Sequence, residues 1–366
     1  MDDVDEKFMR LVLSLAEKAR GRTSPNPMVG AVIVCDGQLV GSGYHQKAGT
    51  PHAEIRAIAE AGEKANGATI YVNLEPCSHY GRTGPCTQAI IKAGLSRVVM
   101  AMLDPNPMVN GQGKAILESH GIQVKTGVLE NEARKLNEAF IKYITTGKPF
   151  VILKTAMSLD GKIATSSGRS RWITSEESRR MVHKIRDEVD AIIVGVGTVI
   201  RDDPSLTTRL PDGDGRDAIR IILDSQARIP LESRVLNLNS SAKTIVAVTP
   251  SASEENIGGL EHRAEVLVVS EKDGRVDLQD LMQKLGRREI MSVLIEGGAE
   301  VNASALKAGI VDRVMFFISP RLMGGSRSPG PIGGDGVEDP SEAIPLADVS
   351  VTRIGEDILV TGTPKY

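Results

Sequence analysis

Thr69-Ile70-Tyr71-Val72-Asn73-Leu74-Glu75-Pro76-Cys77, taken up again at Pro85-Cys86, decides the reading of the first half of the chain. The β-branched and aromatic run 69–74 predicts a short buried strand, and Pro76 ends it. Cys86 opens a helical stretch, Cys86–Ala93, that stops at Gly94. Upstream, His52-Ala53-Glu54 opens another helix, Ala53–Lys64. One imidazole and two thiols thus fall at the ends of three elements. Three such ligands leave the fourth tetrahedral position of a zinc ion to water, the catalytic rather than the closed structural form. Helix N-termini favour the thiolates, because their free N–H groups attract anions. Glu54, two residues beyond the histidine, is placed to carry protons rather than to ligate. The bland alternative is a chance histidine and two structural cysteines.

The spacing of a histidine, a glutamate two residues on and a later Pro-Cys pair is the signature of zinc deaminases. Here the two cysteines stand farther apart, and the polar insert Ser78–Pro85 reads as a loop facing the substrate. Around this centre, strand and helix signals alternate. Asp5–Ala19 has helical spacing, and Met28–Cys35 and Gln38–Tyr44 flank the hairpin signal Asp36-Gly37. Arg97–Leu103 and Gln123–Thr126 read as strands, Lys114–His120 and Glu130–Thr145 as helices. Strands separated by helices imply a sheet covered by helices. Asn26, in Ser24-Pro25-Asn26-Pro27, offers an amide edge for a heterocycle, although a plain Asn-Pro turn explains it equally well. His45 ends the hairpin. Asp104-Pro105-Asn106-Pro107 ends a strand at the carboxyl edge, where such sheets bind ligands.

The stretch Thr145-Thr146-Gly147-Lys148-Pro149 marks a domain boundary, giving domains at 1–146 and 150–366. Phe150–Met157, Ala191–Val196, Ala218–Asp224, Thr244–Thr249, Ala264–Ser270, Ser292–Ile295 and Val314–Ser319 read as buried strands. Ser175 caps a helix to Glu188; Asp277–Leu285 and Ala299–Ala308 are helical; Val349–Ile354 and Ile358–Gly362 form a terminal pair. Gly324 to Gly336 reads as a long mobile loop. Lys154 lies on the first of these strands. Ser170, Thr174 and Arg186 supply two hydroxyls and a guanidinium suited to an anion. Asp202 and Arg209 follow the Gly195-Val196-Gly197-Thr198 turn. Glu296-Gly297-Gly298 joins a strand directly to a helix, where bare backbone can approach a pyrophosphate. The sole tryptophan, Trp172, stands among these residues, and together they point to a nucleotide site. No G-x-G-x-x-G opens a helix, which disfavours an ordinary Rossmann site.

Composition narrows the function. The 366 residues are 41% hydrophobic and 25% charged, an ordinary globular balance. With 44 Lys+Arg against 47 Asp+Glu the net charge is −3, against the basic excess of a nucleic-acid binder. Five Phe, five Tyr and one Trp are too few for a platform that stacks single strands. Three cysteines exclude a disulfide scaffold, and Cys35, in an apolar run, reads as core. No apolar run reaches membrane-spanning length and no signal peptide is visible, so a cytoplasmic protein with reduced thiols is expected.

At this point the sequence resembles the bifunctional deaminase-reductase family of riboflavin biosynthesis over nearly its whole length. The resemblance rests on Ser24-Pro25-Asn26-Pro27 with Val29-Gly30, His52-Ala53-Glu54, Pro76-Cys77-Ser78-His79 through Gly81-Arg82-Thr83 to Cys86, and Asp104-Pro105-Asn106-Pro107. In the second half it rests on Lys154 to Gly161, Trp172-Ile173-Thr174, Val194 to Arg209 and Glu296-Gly297-Gly298. Gly84 stands where the family pattern has proline, and removes no ligand. The resemblance implies an α/β fold throughout: a cytidine-deaminase-like three-layer α/β/α domain, then a dihydrofolate-reductase-like α/β domain. It implies one Zn²⁺ per chain, NADPH, a pyrimidine ribosyl phosphate substrate and a homo-oligomer, dimer or tetramer. It implies zinc on His52, Cys77 and Cys86, with Glu54 as proton shuttle. It puts Asn26, His45 and His79 on the pyrimidine or ribose, and Arg82 and Asn106 on its phosphate. On the reductase side it implies substrate at Ser170, Thr174, Arg186, Leu206, Arg209 and Glu296. NADPH would lie at Ala156, Trp172, Thr198, Asp202, Ser225 and Gly298. Lys154 or Asp202 would assist opening of the ribose and protonation. Two other readings stay open: a free-base or tRNA deaminase with a passive second half, and an inactive binding homologue.

Overall fold

The computed structural model describes residues 2–78, 84–107, 109–211, 213 and 215–366. The chain divides into two compact units, Met1–Gly147 and Lys148–Tyr366.

The first unit runs α1 (Asp2–Glu17), β1 (Gly30–Cys35), β2 (Gln38–Tyr44), α2 (Ala53–Ala61), β3 (Thr69–Leu74), α3 (Cys86–Lys92), β4 (Arg97–Met102), α4 (Gln112–Ser119), β5 (Gln123–Lys125), α5 (Glu130–Leu136) and α6 (Glu138–Thr146). Asp36 and Gly37 have φ of 49° and 74°, the paired positive values that a two-residue hairpin turn demands. The sheet order is β2-β1-β3-β4-β5, with β1 antiparallel to both neighbours and β3, β4 and β5 parallel. Period-two alternation sends Ala31 and Ile33 to one face, under Ala53, Ala57, Ile90 and Leu117 of α2, α3 and α4. Val32 and Val34 face the other way, onto Phe8, Met9 and Val12 of α1 and Ala133 of α5. The result is three layers, α/β/α.

The helix expected over Glu130–Thr145 is broken at Asn137. This buried side chain accepts from the Met28 N–H (2.8 Å) and donates to the Met28 carbonyl (2.9 Å), so the segment leading into β1 claims the amide. Cys35 is half-buried at the strand end rather than in the core.

Glycine sets the distance between β2 and α2. A Cβ on Gly41 would stand 2.2 Å from the Ala57 carbonyl oxygen, and one on Gly43 2.6 Å from that of Ala53. Gly41→Ala must therefore push the helix that follows His52 off the sheet. The expected cost is about 1–3 kcal/mol of stability, read as a lower midpoint in thermal unfolding; an unchanged midpoint would mean that the helix moves without cost.

The second unit runs β6 (Phe150–Ser158), α7 (Glu176–Glu188), β7 (Ala191–Gly195), α8 (Val196–Asp202), β8 (Ile219–Leu223), β9 (Thr244–Val248), α9 (Glu254–Leu260), β10 (Glu265–Val268), β11 (Glu271–Lys272), β12 (Arg275–Val276), α10 (Leu278–Gly286), β13 (Ser292–Ile295), α11 (Ala299–Lys307), β14 (Arg313–Ser319), β15 (Leu346–Ile354) and β16 (Asp357–Pro364). Nine strands form one sheet in the order β10-β9-β8-β7-β13-β6-β14-β16-β15. It is parallel from β10 to β14 and antiparallel at β16 and β15. Leu281, Leu285 and Ala305 of α10 and α11 cover one face; Ile185 of α7 and Leu260 of α9 cover the other. As expected, Ser175 caps α7, its hydroxyl accepting from the Ser178 N–H.

The Gly324–Gly336 segment is bonded along its length, contrary to the expectation of a mobile loop. Asp160 accepts from the N–H groups of Met323 (3.0 Å) and Gly324 (2.7 Å), Ile163 N–H donates to Pro329, and Asn302 donates to Pro331. Edge strand β15 leaves Val349 and Val351 exposed. Among the described residues no helix is long and apolar enough to cross a membrane.

Candidate active sites

In the first unit, three element ends bring His52, Cys77 and Cys86 together. His52 caps α2, Cys77 leaves β3 two residues beyond Glu75, and Cys86 begins α3. His52 Nδ1 lies 3.2 Å from Cys86 Sγ and 3.6 Å from Cys77 Sγ, and the three ligand atoms are all within 4.8 Å of one another. A tetrahedral zinc with bonds of about 2.3 Å to sulfur and 2.0 Å to nitrogen separates N from S by roughly 3.5 Å. Among the described residues this is the one group of three His, Cys, Asp or Glu side chains so placed.

The charges of this trio also suit a cation. Hydrogen bonding with Cys86 pulls the Cys77 thiol down to about 4, helped by His52 and by the Cys86 N–H, which donates to its sulfur (3.3 Å). The same contact with Cys77 pushes Cys86 up, so a second thiolate needs a positive partner. A zinc ion is that partner. Glu54, 3% exposed, sits in the first turn of α2, where burial and the Cys77 charge raise its carboxyl above its ordinary value.

Asn26 donates through Nδ2 to His45 Nε2 (3.1 Å), and His45 Nδ1 faces the Pro51 carbonyl. Burial lowers the His45 pKa, which suits the neutral ring that this pairing requires. The residues that fix the backbone around this site were not apparent in the sequence. Asn73 accepts from the Gly30 N–H (2.8 Å) and donates to the Met28 carbonyl (2.9 Å), which Asn137 also holds. Glu75 is a further one. Its carboxylate accepts from the N–H groups of Asp104, Gly111 and Lys114, each at 2.9 Å. It thereby ties the turn entering Cys77 to the loop carrying Asn106. An acid directly before Pro-Cys was the only signal. His79 and Arg82 lie outside the described residues.

In the second unit a cleft of about 890 Å³ opens at the carboxyl edge of the sheet. It gathers Lys154, Ala156, Ser170, Trp172, Thr174, Arg186, Thr198, Asp202, Arg209, Glu296 and Gly298. Seven basic and four acidic side chains line it, an anion-binding balance in a chain whose net charge is −3. At its base, buried Glu296 takes Lys154 Nζ (2.8 Å) on one oxygen and Arg186 Nε (2.6 Å) on the other. Arg186 is thus bidentate to Glu296 and also donates to the Thr207 carbonyl (3.1 Å), which fixes its place in the cleft. Burial alone would raise the Glu296 carboxyl; Arg186 and Lys154 more than offset this and hold it well below its ordinary 4.5.

Two expected residues stand elsewhere. Leu206 buries its side chain in the core at φ 52°, leaving only its backbone to a ligand. Ser225 lines an adjoining cavity. The chain turns into α8 directly at Val196, where a strand end was expected. Three cleft residues carried no sequence signal. His183, pushed down to about 4 by burial and then by Arg186 and Arg209, accepts from the Arg209 N–H (3.2 Å). Arg179 lies 4.7 Å over the exposed Trp172 ring. Arg171 donates to the Asp202 carbonyl (2.8 Å).

The cleft suits a dinucleotide. Gly298 caps the nine-residue α11 without a side-chain bond, and a Cβ there would meet only Thr198 Oγ1, at 3.9 Å. That strip of bare backbone at a helix start lies open to a pyrophosphate.

Comparison with known proteins places these two sites in context. Residues 2–102 match the family described as cytidine and deoxycytidylate deaminase zinc-binding region, and residues 149–360 match the RibD C-terminal domain. The chain is 47% identical over 358 residues to the riboflavin biosynthesis protein RibD of Aquifex aeolicus, covering 98% of each. It is similar to the structure of Acinetobacter baumannii RibD, with a TM-score of 0.90 and 37% identity over 100% of both chains. The Thermotoga maritima diaminohydroxyphosphoribosylaminopyrimidine deaminase/5-amino-6-(5-phosphoribosylamino)uracil reductase gives a TM-score of 0.87 and 38% identity, covering 100% of this chain and 99% of that one.

Proposed function

Because this chain belongs to the RibD family of riboflavin biosynthesis proteins, we propose that residues 1–146 carry the family's deaminase activity and residues 150–366 its reductase activity. The protein is a bifunctional enzyme, a zinc hydrolase and an NADPH-dependent oxidoreductase. The first reaction removes the 2-amino group of 2,5-diamino-6-(5-phosphoribosylamino)pyrimidin-4-one with water. The second reduces the ribosyl group of 5-amino-6-(5-phosphoribosylamino)uracil to a ribityl chain. The single observation that carries the reading is the convergence of His52, Cys77 and Cys86 beside a buried Glu54.

In the deaminase, His52, Cys77 and Cys86 hold zinc, which when bound supplies a water of lowered pKa. Glu54 accepts the proton lost by the attacking water and returns protons to the ring nitrogen and the departing amine. Its raised carboxyl suits both steps. Asn26 and the neutral His45 orient the heterocycle, and Asn106 lies toward the phosphate.

In the reductase, NADPH supplies the hydride. Lys154, held by Glu296, gives a proton to the ribose ring oxygen as it opens, and Asp202 assists. Ser170, Thr174, Arg209 and the Leu206 backbone border the substrate; Ala156, Trp172, Thr198 and Gly298 border the cofactor. We place the enzyme in the cytoplasm as a homo-oligomer, a state supported by the exposed apolar edge of β15.

The test is a one-pot assay on the diaminopyrimidine substrate. Without NADPH the product should stop at the uracil ribosylamine; with it, at the ribitylamine. Stripping the metal should end ammonia release yet leave reduction of pre-deaminated substrate intact. Ammonia release that survives metal removal would refute the zinc assignment.

A further inference from the structure

Helix α7 presents Arg179, His183 and Arg186 to the main cleft, spaced i, i+4 and i+7 along one face. Each reaches a different wall. Arg186 holds Glu296, His183 holds the backbone of Arg209, and Arg179 holds the segment that carries Trp172 and Thr174. Resting on the reading of this cleft as the site of NADPH, we propose that Arg179 is a positioning residue of the reductase: its guanidinium clamps the Trp172 indole in the orientation that borders the cofactor.

The indole needs such a clamp. Trp172 is 61% exposed, although tryptophan is a side chain that folding mostly buries. An exposed side chain with little packed around it changes rotamer on a fast timescale. The backbone beneath the ring is well held. Arg171 donates to the Asp202 carbonyl (2.8 Å), Arg321 to the Trp172 carbonyl (3.4 Å), and Asp357 accepts from the Ser175 N–H (2.7 Å). These bonds fix the main chain and leave rotation of the side chain open.

Arg179 restrains that rotation. Its Nη1 donates to the Thr174 carbonyl (2.7 Å), and its Cζ stands 4.7 Å from the centre of the indole. The bond anchors the guanidinium plane to the held backbone, and the plane then covers one face of the ring within cation–π range. Arg171, with Cζ at 5.9 Å, lies at the edge of that range and contributes less. The uncovered part of Trp172 stays open to a ligand in the cleft that it lines. One side chain thus sets both the ring of residue 172 and the carbonyl of residue 174.

Trp172 is the chain's one tryptophan, so protein fluorescence reports this ring alone. Full-length wild type, Arg179→Met and Arg179→Lys are compared for acrylamide quenching of that emission and for NADPH binding by calorimetry. The Ser175 cap of α7 is kept in both variants. Arg179→Met uncovers the shielded face, so its quenching constant should rise, and NADPH should bind roughly three- to thirtyfold more weakly. Arg179→Lys keeps the charge and a donor but not the plane, and should recover part of both losses. Wild-type quenching and NADPH affinity in Arg179→Met overturn the inference. Weaker NADPH with unchanged quenching also overturns it, because Arg179 would then act without moving the ring; so does stronger quenching with unchanged affinity. In each of these results the cofactor reading stands. Wild type that binds no NADPH overturns the cofactor reading, and this inference with it.

Discussion

Glu54→Gln is expected to lower deamination by roughly a hundred- to ten-thousandfold while zinc content and reduction of pre-deaminated substrate stay at wild-type levels. The amide keeps the size and shape of the buried side chain, so the start of α2 keeps its packing. It cannot take up a proton, and proton transfer is the whole of the role assigned to this residue. Zinc should remain because its ligands come from His52, Cys77 and Cys86. Reduction should remain because the reductase residues belong to the other compact unit. Ammonia release, zinc per chain and NADPH oxidation on pre-deaminated substrate are the three measurements. A folded variant that loses both activities equally contradicts the assignment of one activity to each unit.

Glu296→Gln strikes the other site through its charge. Removing one partner from a buried ion pair costs about 3–5 kcal/mol, and here two cations, Lys154 and Arg186, lose their shared anion. NADPH oxidation should fall to background, the second unit should unfold at lower temperature, and ammonia release should persist. The pH dependence has a definite sign. The Glu296 carboxyl is held below its unfolded value, so its contribution is complete above roughly pH 4–5 and is lost as the pH falls through that range toward the folded value. The variant should therefore lose less stability than wild type between about pH 5 and pH 2. Asp5 keeps part of that slope in both proteins. Burial raises its carboxyl, but hydrogen bonds from Arg97, Lys125 and Tyr71 bring it far below the ordinary range. Identical acid profiles for variant and wild type would mean that Glu296 is not held ionised by its two partners.

Local chemistry accounts for what the sequence made legible. Short β-branched strands such as 69–74, the Asp36-Gly37 turn and the Ser175 cap are each determined by neighbouring residues, and each stands where expected. The three ligand positions were readable because each falls where an element begins or ends. What the sequence hid is non-local. Asn137 interrupts a helix for the sake of Met28, 109 positions away. Glu296 claims Arg186 across 110 positions. Leu206, which the resemblance puts at the substrate, shows no local sign that its side chain enters the core. The two-residue strands β11 and β12 are too short to show any periodicity.

Glu75 has one more consequence. Three backbone amides converge on one carboxylate, so both ends of the loop 104–111 are set when the chain folds. A ligand arriving at that loop finds its framework already rigid, and the entropic penalty of ordering those ends is not repeated with every turnover. Glu75→Ala should then reveal itself in calorimetry as ligand binding with a more unfavourable entropy, at unchanged zinc content.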